Sequence, residues 1–303
     1  MPSVPPTNRA LLAVAVTLLL WASAFVGIRH LGRVFTPGAL SLGRLLVGSF
    51  ALGALLLRQE RARLDRGQVA RLVAIGVLWF GAYNVALNAG ERRLDAGTAS
   101  LLVQISPVLV AVLAAVFLGE RAGRWLVIGL VLAFAGVAVI AVAAQGQAHR
   151  DPAGVGLCLV AAAAYAVSLV LQKPLVARLS AVEVTWTACS IGAVACLPFA
   201  PQLVTGWSHA TAGERLTLGY LGAFPTAVAF TTYAYAQRHM STARLSVSTY
   251  LVPGLTVVLS ALLLAETPAP VAYVGGALAL TGVWLSRRRP VVSTHVAEPA
   301  TAR

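Results

Sequence analysis

The sequence predicts an all-α integral membrane protein, with ten transmembrane helices arranged as two inverted five-helix repeats. Three observations lead there. The chain is 58% hydrophobic and 11% charged over 303 residues, more apolar surface than one water-facing core can hide, so the bilayer must solvate most of it. Its apolar runs are of spanning length and are parted by short gaps that carry arginine. A central stretch, Ser100 to Glu120, recurs 146 positions later: Ser246, Tyr250, Pro253 and Glu266 stand in register with Ser100, Gln104, Pro107 and Glu120. Gly129 and Gly136 find Gly275 and Gly282 at the same offset, and Asp95 finds Ser241. A doubled, helix-length hydrophobic unit containing proline constrains the fold more than any other feature.

Taken in order, residues 1–9 form a short Pro-rich cytoplasmic segment, and the first span follows at Ala10 to Ile28. Ala22-Ser23-Ala24 could imitate a leader cleavage site, but bulky Trp21 and Phe25 flank it and the repeat requires this helix. Further spans are expected at 38–57, 69–90, 96–118, 124–144, 153–172, 181–200, 213–237, 243–265 and 269–286. The first repeat is therefore 10–144, the inter-repeat loop 145–152 and the second repeat 153–286. Residues 287–303 are polar and turn-rich and read as a disordered cytoplasmic tail.

The net charge of +13 comes almost wholly from arginine, with Lys173 the sole lysine. The charges sit in the gaps, as topology signals do, and do not form a nucleic-acid patch. With the N-terminus inside, only Arg29, Arg33, Arg92, Arg93, Arg150 and Arg215 face outward, so both termini are expected in the cytoplasm of a cell (inner or plasma) membrane. An odd number of spans per repeat then inverts the second half, the arrangement of carriers whose site lies between the halves. Cys158, Cys189 and Cys196 lie in apolar runs without metal or redox spacing and read as buried hydrophobes.

Helical spacing brings Ser100, Gln104 and Pro107 onto one side of the fourth span, and Ser246, Tyr250 and Pro253 onto one side of the ninth. Each proline frees a backbone carbonyl one turn earlier, which in hydrocarbon must find protein or a hydrated cavity, so packing kink and cavity lining are both open. Gly81, Asn84 and Asn88 form a face of the third span that must point inward, to solute or to another helix. Trp21 with Thr17, Tyr165 with Ser168 and Gln172, and Thr226, Phe230, Tyr233 and Gln237 are further polar and aromatic candidates, although such stripes are often simply core. Arg44 is the basic residue well inside a span, an anion contact or a structural pair. Glu120 and Glu266 lie at span ends, as charge neutralisers or gates, and no carboxylate is expected near mid-membrane. The glycines of the fifth and tenth spans suggest close helix packing. The histidines are expected in loops or the tail. Neither a phosphate-binding glycine loop ending in Gly-Lys-Ser/Thr nor a catalytic or metal constellation is present, so no cofactor or metal is expected.

The set Trp21-Ala-Ser-Ala-Phe25, Arg44, Ser106-Pro107 and Leu118-Gly119-Glu120 resembles the EamA-type branch of the drug/metabolite transporter superfamily. The second-half echo, Val252-Pro253 to Ala265-Glu266 with Gly275 and Gly282, resembles it too, except that Ala265 replaces the glycine found at 119. The resemblance implies a ten-helix carrier with a cavity lined by spans 1, 3, 4, 6, 8 and 9. The expected function is transport of small organic metabolites (amino acids or similar amphipathic solutes, or toxic compounds), as an exporter working by alternating access. The expected partners are solute and lipid bilayer, without nucleic acid, and a homodimer is left open. Two alternatives remain: an intramembrane enzyme modifying lipid or isoprenoid groups, and a membrane sensor without transport.

Overall fold

A computed structural model describes residues 8–57, 64–106, 108–110, 112–113, 124–143, 151–239, 245, 248–249, 251–266 and 268–286. Pro107, Glu120, Ser246 and Tyr250, the Leu118-Gly119 step, most of the inter-repeat loop and the tail lie outside the described residues. Among those described, every regular element is helical. The chain forms α1 (Asn8–Leu31) and α2 (Pro37–Leu56), then α3 (Arg66–Ile75), which passes through a π-helical segment Gly76–Tyr83 into α4 (Asn84–Glu91). There follow α5 (Ala96–Val103), α6 (Arg124–Ala143), α7 (Pro152–Val176), α8 (Ala181–Ala195), a 3-10 turn Leu197–Phe199 and α9 (Ala200–His209). Next, α10 (Ala212–Leu221) passes through a second π segment, Gly222–Val228, into α11 (Ala229–His239), before α12 (Leu251–Leu264) and α13 (Pro270–Ser286).

Four continuous helices are long and apolar enough to cross a bilayer: Asn8–Leu31, Pro37–Leu56, Arg66–Glu91 and Pro152–Val176. A fifth candidate is the pair Ala181–Ala195 and Leu197–His209, bent by 53°. The sequence predicts a span at 181–200; Pro198 and Pro201 withhold backbone donors there, and the chain turns. His30, His209 and His239 end helices instead of lying in loops.

Helix starts follow from short polar residues in the connections. Thr36, Asp65, Asp95, Asp151, Ser180 and Thr211 each cap a helix N-terminus through a side-chain oxygen. Asp65 with Gln68 and Thr211 with Glu214 complete capping boxes. The outside is greasy: Phe50, Leu57, Leu262 and Leu216 are each at least three-quarters exposed. Arg44, Asn84, Asn88, Ser100, Gln104, Ser168 and Gln172 are buried. Polar groups turned inward and apolar ones outward are what hydrocarbon demands.

The packing of α6 on α13 brings backbone close to backbone. A Cβ on Gly136 would lie 2.4 Å from the Gly275 carbonyl oxygen, and one on Gly282 would lie 2.5 Å from that of Gly129. As the numbers rise along one helix they fall along the other, so the two run antiparallel, backbone against backbone. The π segments are matched as well, each starting at a glycine, Gly76 and Gly222, 146 residues apart. Gly76 abuts Ile191 and the Ala188 carbonyl of α8, while Gly222 abuts Val47 and the Arg44 carbonyl of α2.

Candidate functional site

A cavity lies where α1, α2, the first π segment, α4, α5, α7, α11 and α12 meet. Its wall includes Trp21, Phe25 and Ile28 from α1, Arg44 from α2, and Trp79 and Tyr83 from the π segment. Asn84 and Leu87 of α4, Ser100, Val103, Gln104 and Ser106, Tyr165, Phe230, Thr249 and Val252 complete most of it.

The π geometry sets the aromatic wall. One extra residue in the turn advances Trp79 and Tyr83 into the cavity and takes Gly81, predicted to share a face with Asn84, away from it. The carbonyls displaced by the wider turn are taken up locally: Asn84 Nδ2 donates to Phe80 O at 2.9 Å and to Trp79 O at 3.2 Å. In the second π segment Thr226 Oγ1 donates to Leu221 O at 2.8 Å. The Trp79 ring stands 5.0 Å from those of Tyr165 and Phe230, and Trp21 stands 5.6 Å from Phe230, edge to face. Trp21 also packs on Tyr233 at 4.9 Å, and the Tyr165 and Tyr233 hydroxyls are 3.0 Å apart. The result is a box of rings with polar edges.

α5 ends at Val103. Gln104 N and Ile105 N bond back only three residues, to Leu101 O and Leu102 O, and the freed Gln104 side chain donates Nε2–H to Thr249 O at 2.7 Å. Arg44 is buried in the wall with a single hydrogen bond, Nη2 to Thr226 Oγ1 at 3.5 Å; its Nε and Nη1 have no acceptor among the described residues. Trp21 Nε1 likewise has no acceptor among the described residues.

Of the residues singled out from sequence, Trp21, Arg44, Asn84, Ser100, Gln104, Tyr165 and Phe230 line this cavity. Asn88 instead ties α4 to α2, donating Nδ2–H to Ser41 Oγ at 2.9 Å and Pro37 O at 3.1 Å. Ser168 bonds back to Ala164 O, Tyr233 stands behind Trp21, and Pro253 is buried in α12. Glu266 meets α1, accepting from Arg29 Nε at 2.9 and 3.2 Å. Arg29 had been assigned to an outer loop; in the fold it closes α1 as a buried group. Sequence reasoning missed Trp79 and Tyr83, which the α-helical period puts on other faces. It also missed Glu91, which is one residue past the expected third span and is 1% exposed.

Outside the spans, Arg93 pairs with Asp151, the N-cap of α7. The Ala153 backbone N–H and then the Arg93 guanidinium hold the Asp151 carboxyl below the usual aspartate range.

The sequence profile of the EamA-like transporter family matches twice, over residues 8–142 and 152–288. The chain belongs to the EamA-like transporter family. It is 41% identical to the "Probable terminal-alkyne amino-acid exporter" of Streptantibioticus cattleyicolor, over 93% of this chain and 94% of that one. It is 31% identical to an uncharacterized transporter of Bacillus subtilis, over 91% and 90%. Identity to the "Probable amino-acid metabolite efflux pump" of Salmonella typhimurium is 25%, over 91% and 93%. A solved crystal structure shares the fold at a TM-score of 0.63 and 19% identity, covering 92% of this chain and 96% of its own. Members of this family are multi-pass membrane transporters, and the apolar helices of this chain accord with that.

Proposed function

We propose that this EamA-family chain exports a small amphipathic metabolite bearing a carboxylate, an amino acid or close analogue, by alternating access through the aromatic cavity. The observation behind this is Arg44. A buried guanidinium on a cavity wall, with Nε and Nη1 lacking acceptors among the described residues, is costly unless an anion completes it, and a carboxylate matches that fork. The rings of Trp21, Trp79, Tyr83, Tyr165 and Phe230 would hold the apolar body, with Trp21 Nε1 free to meet a polar edge. Two relatives are named for amino-acid or amino-acid-metabolite export, which favours this class over the enzyme and sensor alternatives.

The reading includes ten spans in two inverted repeats, about 10–144 and 153–286, with both termini in the cytoplasm. Supporting it are the doubled profile match, the reciprocal glycine contacts of α6 and α13, and the paired π segments. Ser246 and Tyr250 stay as candidates for the cavity through their register with Ser100 and Gln104, Pro107 through its place next to the wall residue Ser106, and Glu120 as a gating candidate.

The test is counterflow in liposomes containing purified protein. L-propargylglycine, a terminal-alkyne amino acid, is offered beside its methyl ester and L-norvaline. We expect the free acids to exchange and the ester to lag, with Arg44→Gln abolishing the difference. Equal exchange of acid and ester by the unaltered protein would remove Arg44 from the site.

A further inference from the structure

Beyond Ile28 and Leu87 the cavity wall ends in a compact charged cluster. Arg29, next after Ile28, gives its Nε to both oxygens of Glu266, at 2.9 and 3.2 Å. Its Nη1 goes to the backbone carbonyl of Glu91 at 2.9 Å. Glu91 itself stands one helical turn past Leu87 and is 1% exposed. Neither of its carboxylate oxygens has a hydrogen-bond donor among the described residues. Arg29 therefore touches the Glu91 main chain while its charge is engaged by a different acid.

Every element packed on α4 contributes to the surroundings of Glu91. Arg29 faces it from α1, Arg44 from α2, Tyr83 from the π segment, Asp95 from the cap of α5, Cys158 from α7, and Glu266 from the strap after α12. The two arginines favour the ionised carboxylate, and Glu266 and Asp95 oppose it. Neither arginine bonds it in this arrangement, and burying a carboxylate without a hydrogen-bond donor costs far more than burying the neutral acid. The strap is also held in place: Ala265 takes a left-handed φ of 53°, and Ser260 Oγ bonds Glu266 O at 3.3 Å.

Resting on the transport reading above, we propose that Glu91 is the proton-binding group of this carrier. Arg29 then exchanges between two acids. With Glu91 protonated, Arg29 stays on Glu266 and this end of the cavity is closed. When the end opens and water enters, the proton leaves the Glu91 carboxyl oxygen to water, and Arg29 pairs with the resulting carboxylate. Closing reverses the step, taking up one proton from the side on which this end opens. The two arrangements form a bistable element biased by pH: acid favours closure, and alkali favours opening.

Two readouts test this. The first needs no solute: infrared difference spectra of the purified protein across neutral pH. The carbonyl stretch of a protonated carboxylic acid should be present, fade as pH rises, and be missing in Glu91→Gln; Glu91→Asp should restore it with a shifted midpoint. The second is propargylglycine counterflow at equal pH on both sides. The unaltered protein should slow on the alkaline side of that midpoint, and Glu91→Gln should lose that slope. An unchanged band in Glu91→Gln, or an unchanged pH profile in a Glu91→Gln protein that exchanges, overturns the proposal. If the unaltered protein exchanges none of the probes, the transport reading fails and the proton coupling with it, while the infrared band still reports whether Glu91 holds a proton.

Discussion

Gln104 Nε2 donates to the Thr249 carbonyl oxygen at 2.7 Å, across 145 residues of chain. The bond joins the broken helix of the first repeated stretch to the turn that precedes α12 in the second, and both residues line the cavity. Removing the amide deletes this bridge between two segments far apart in the chain, although the Thr249 carbonyl keeps the Val252 N–H at 3.0 Å. Gln104→Leu should cost about 1–2 kcal/mol of stability. It should also reduce propargylglycine exchange more than it lowers the melting temperature, since it loosens the wall itself. Thermal unfolding in detergent beside counterflow separates the two effects.

Arg44→Lys keeps a positive charge but not the planar fork. If the guanidinium receives a carboxylate through two parallel bonds, a lysine point charge is a poor replacement. Apparent affinity for the free acid should fall about tenfold or more, equivalent to ~1.4 kcal/mol. A half-saturation series in counterflow checks it; an unchanged value argues against two-point contact.

Ala265 is the non-glycine residue with positive φ among the described residues, and its counterpart in the first repeat is Gly119. A Cβ in the left-handed region costs about 1 kcal/mol. Ala265→Gly should therefore stabilise the protein by up to that amount, less the extra freedom glycine gains when unfolded. Denaturation midpoints of the two proteins measure it.

Gly136 and Gly156 make a matched pair. A Cβ at 136 collides with the backbone of α13, at 2.4 Å from Gly275 O and 2.5 Å from Ala279 N, whereas one at 156 meets nothing within 4 Å among the described residues. Gly136→Ala should force the helices apart and cost about 1–3 kcal/mol. Gly156→Ala should be neutral, or stabilising by up to about 1 kcal/mol through helix propensity. Monodispersity on size exclusion and melting temperature give the comparison.

Asp151 should make stability acid-sensitive. Its folded form is held below the usual aspartate range by Ala153 N–H and Arg93, so its contribution is present above the unfolded value, about 3.9, and fades as pH falls through the folded one. Asp151→Asn should flatten that limb of a melting-temperature profile taken down through about pH 3. The change should be small, because the pair is solvent-exposed.

Much of this could be read from the chain and some could not, for identifiable reasons. The apolar runs and the inward turn of Asn84, Gln104 and Arg44 follow from hydrocarbon's intolerance of unpaired polar groups. The aromatic wall did not follow, because a π turn shifts register by one residue and takes Trp79 and Tyr83 off the face that a 3.6-residue period assigns them. Asn88 and Ser168 looked equally fit for the cavity, but each found an acceptor on a neighbouring or preceding turn. Glu91 was passed over because it lies at a span boundary, where an acid ordinarily meets water.

The glycine contacts between α6 and α13 reach beyond stability. Gly136 against Gly275 and Gly129 against Gly282 exchange roles when the numbers are shifted by one repeat, so the surface is self-complementary and needs no covalent tether to be recognised. Two polypeptides severed within residues 145–150 should dock through it and rebuild a working molecule, the natural linkage serving chiefly to raise the concentration of one partner near the other.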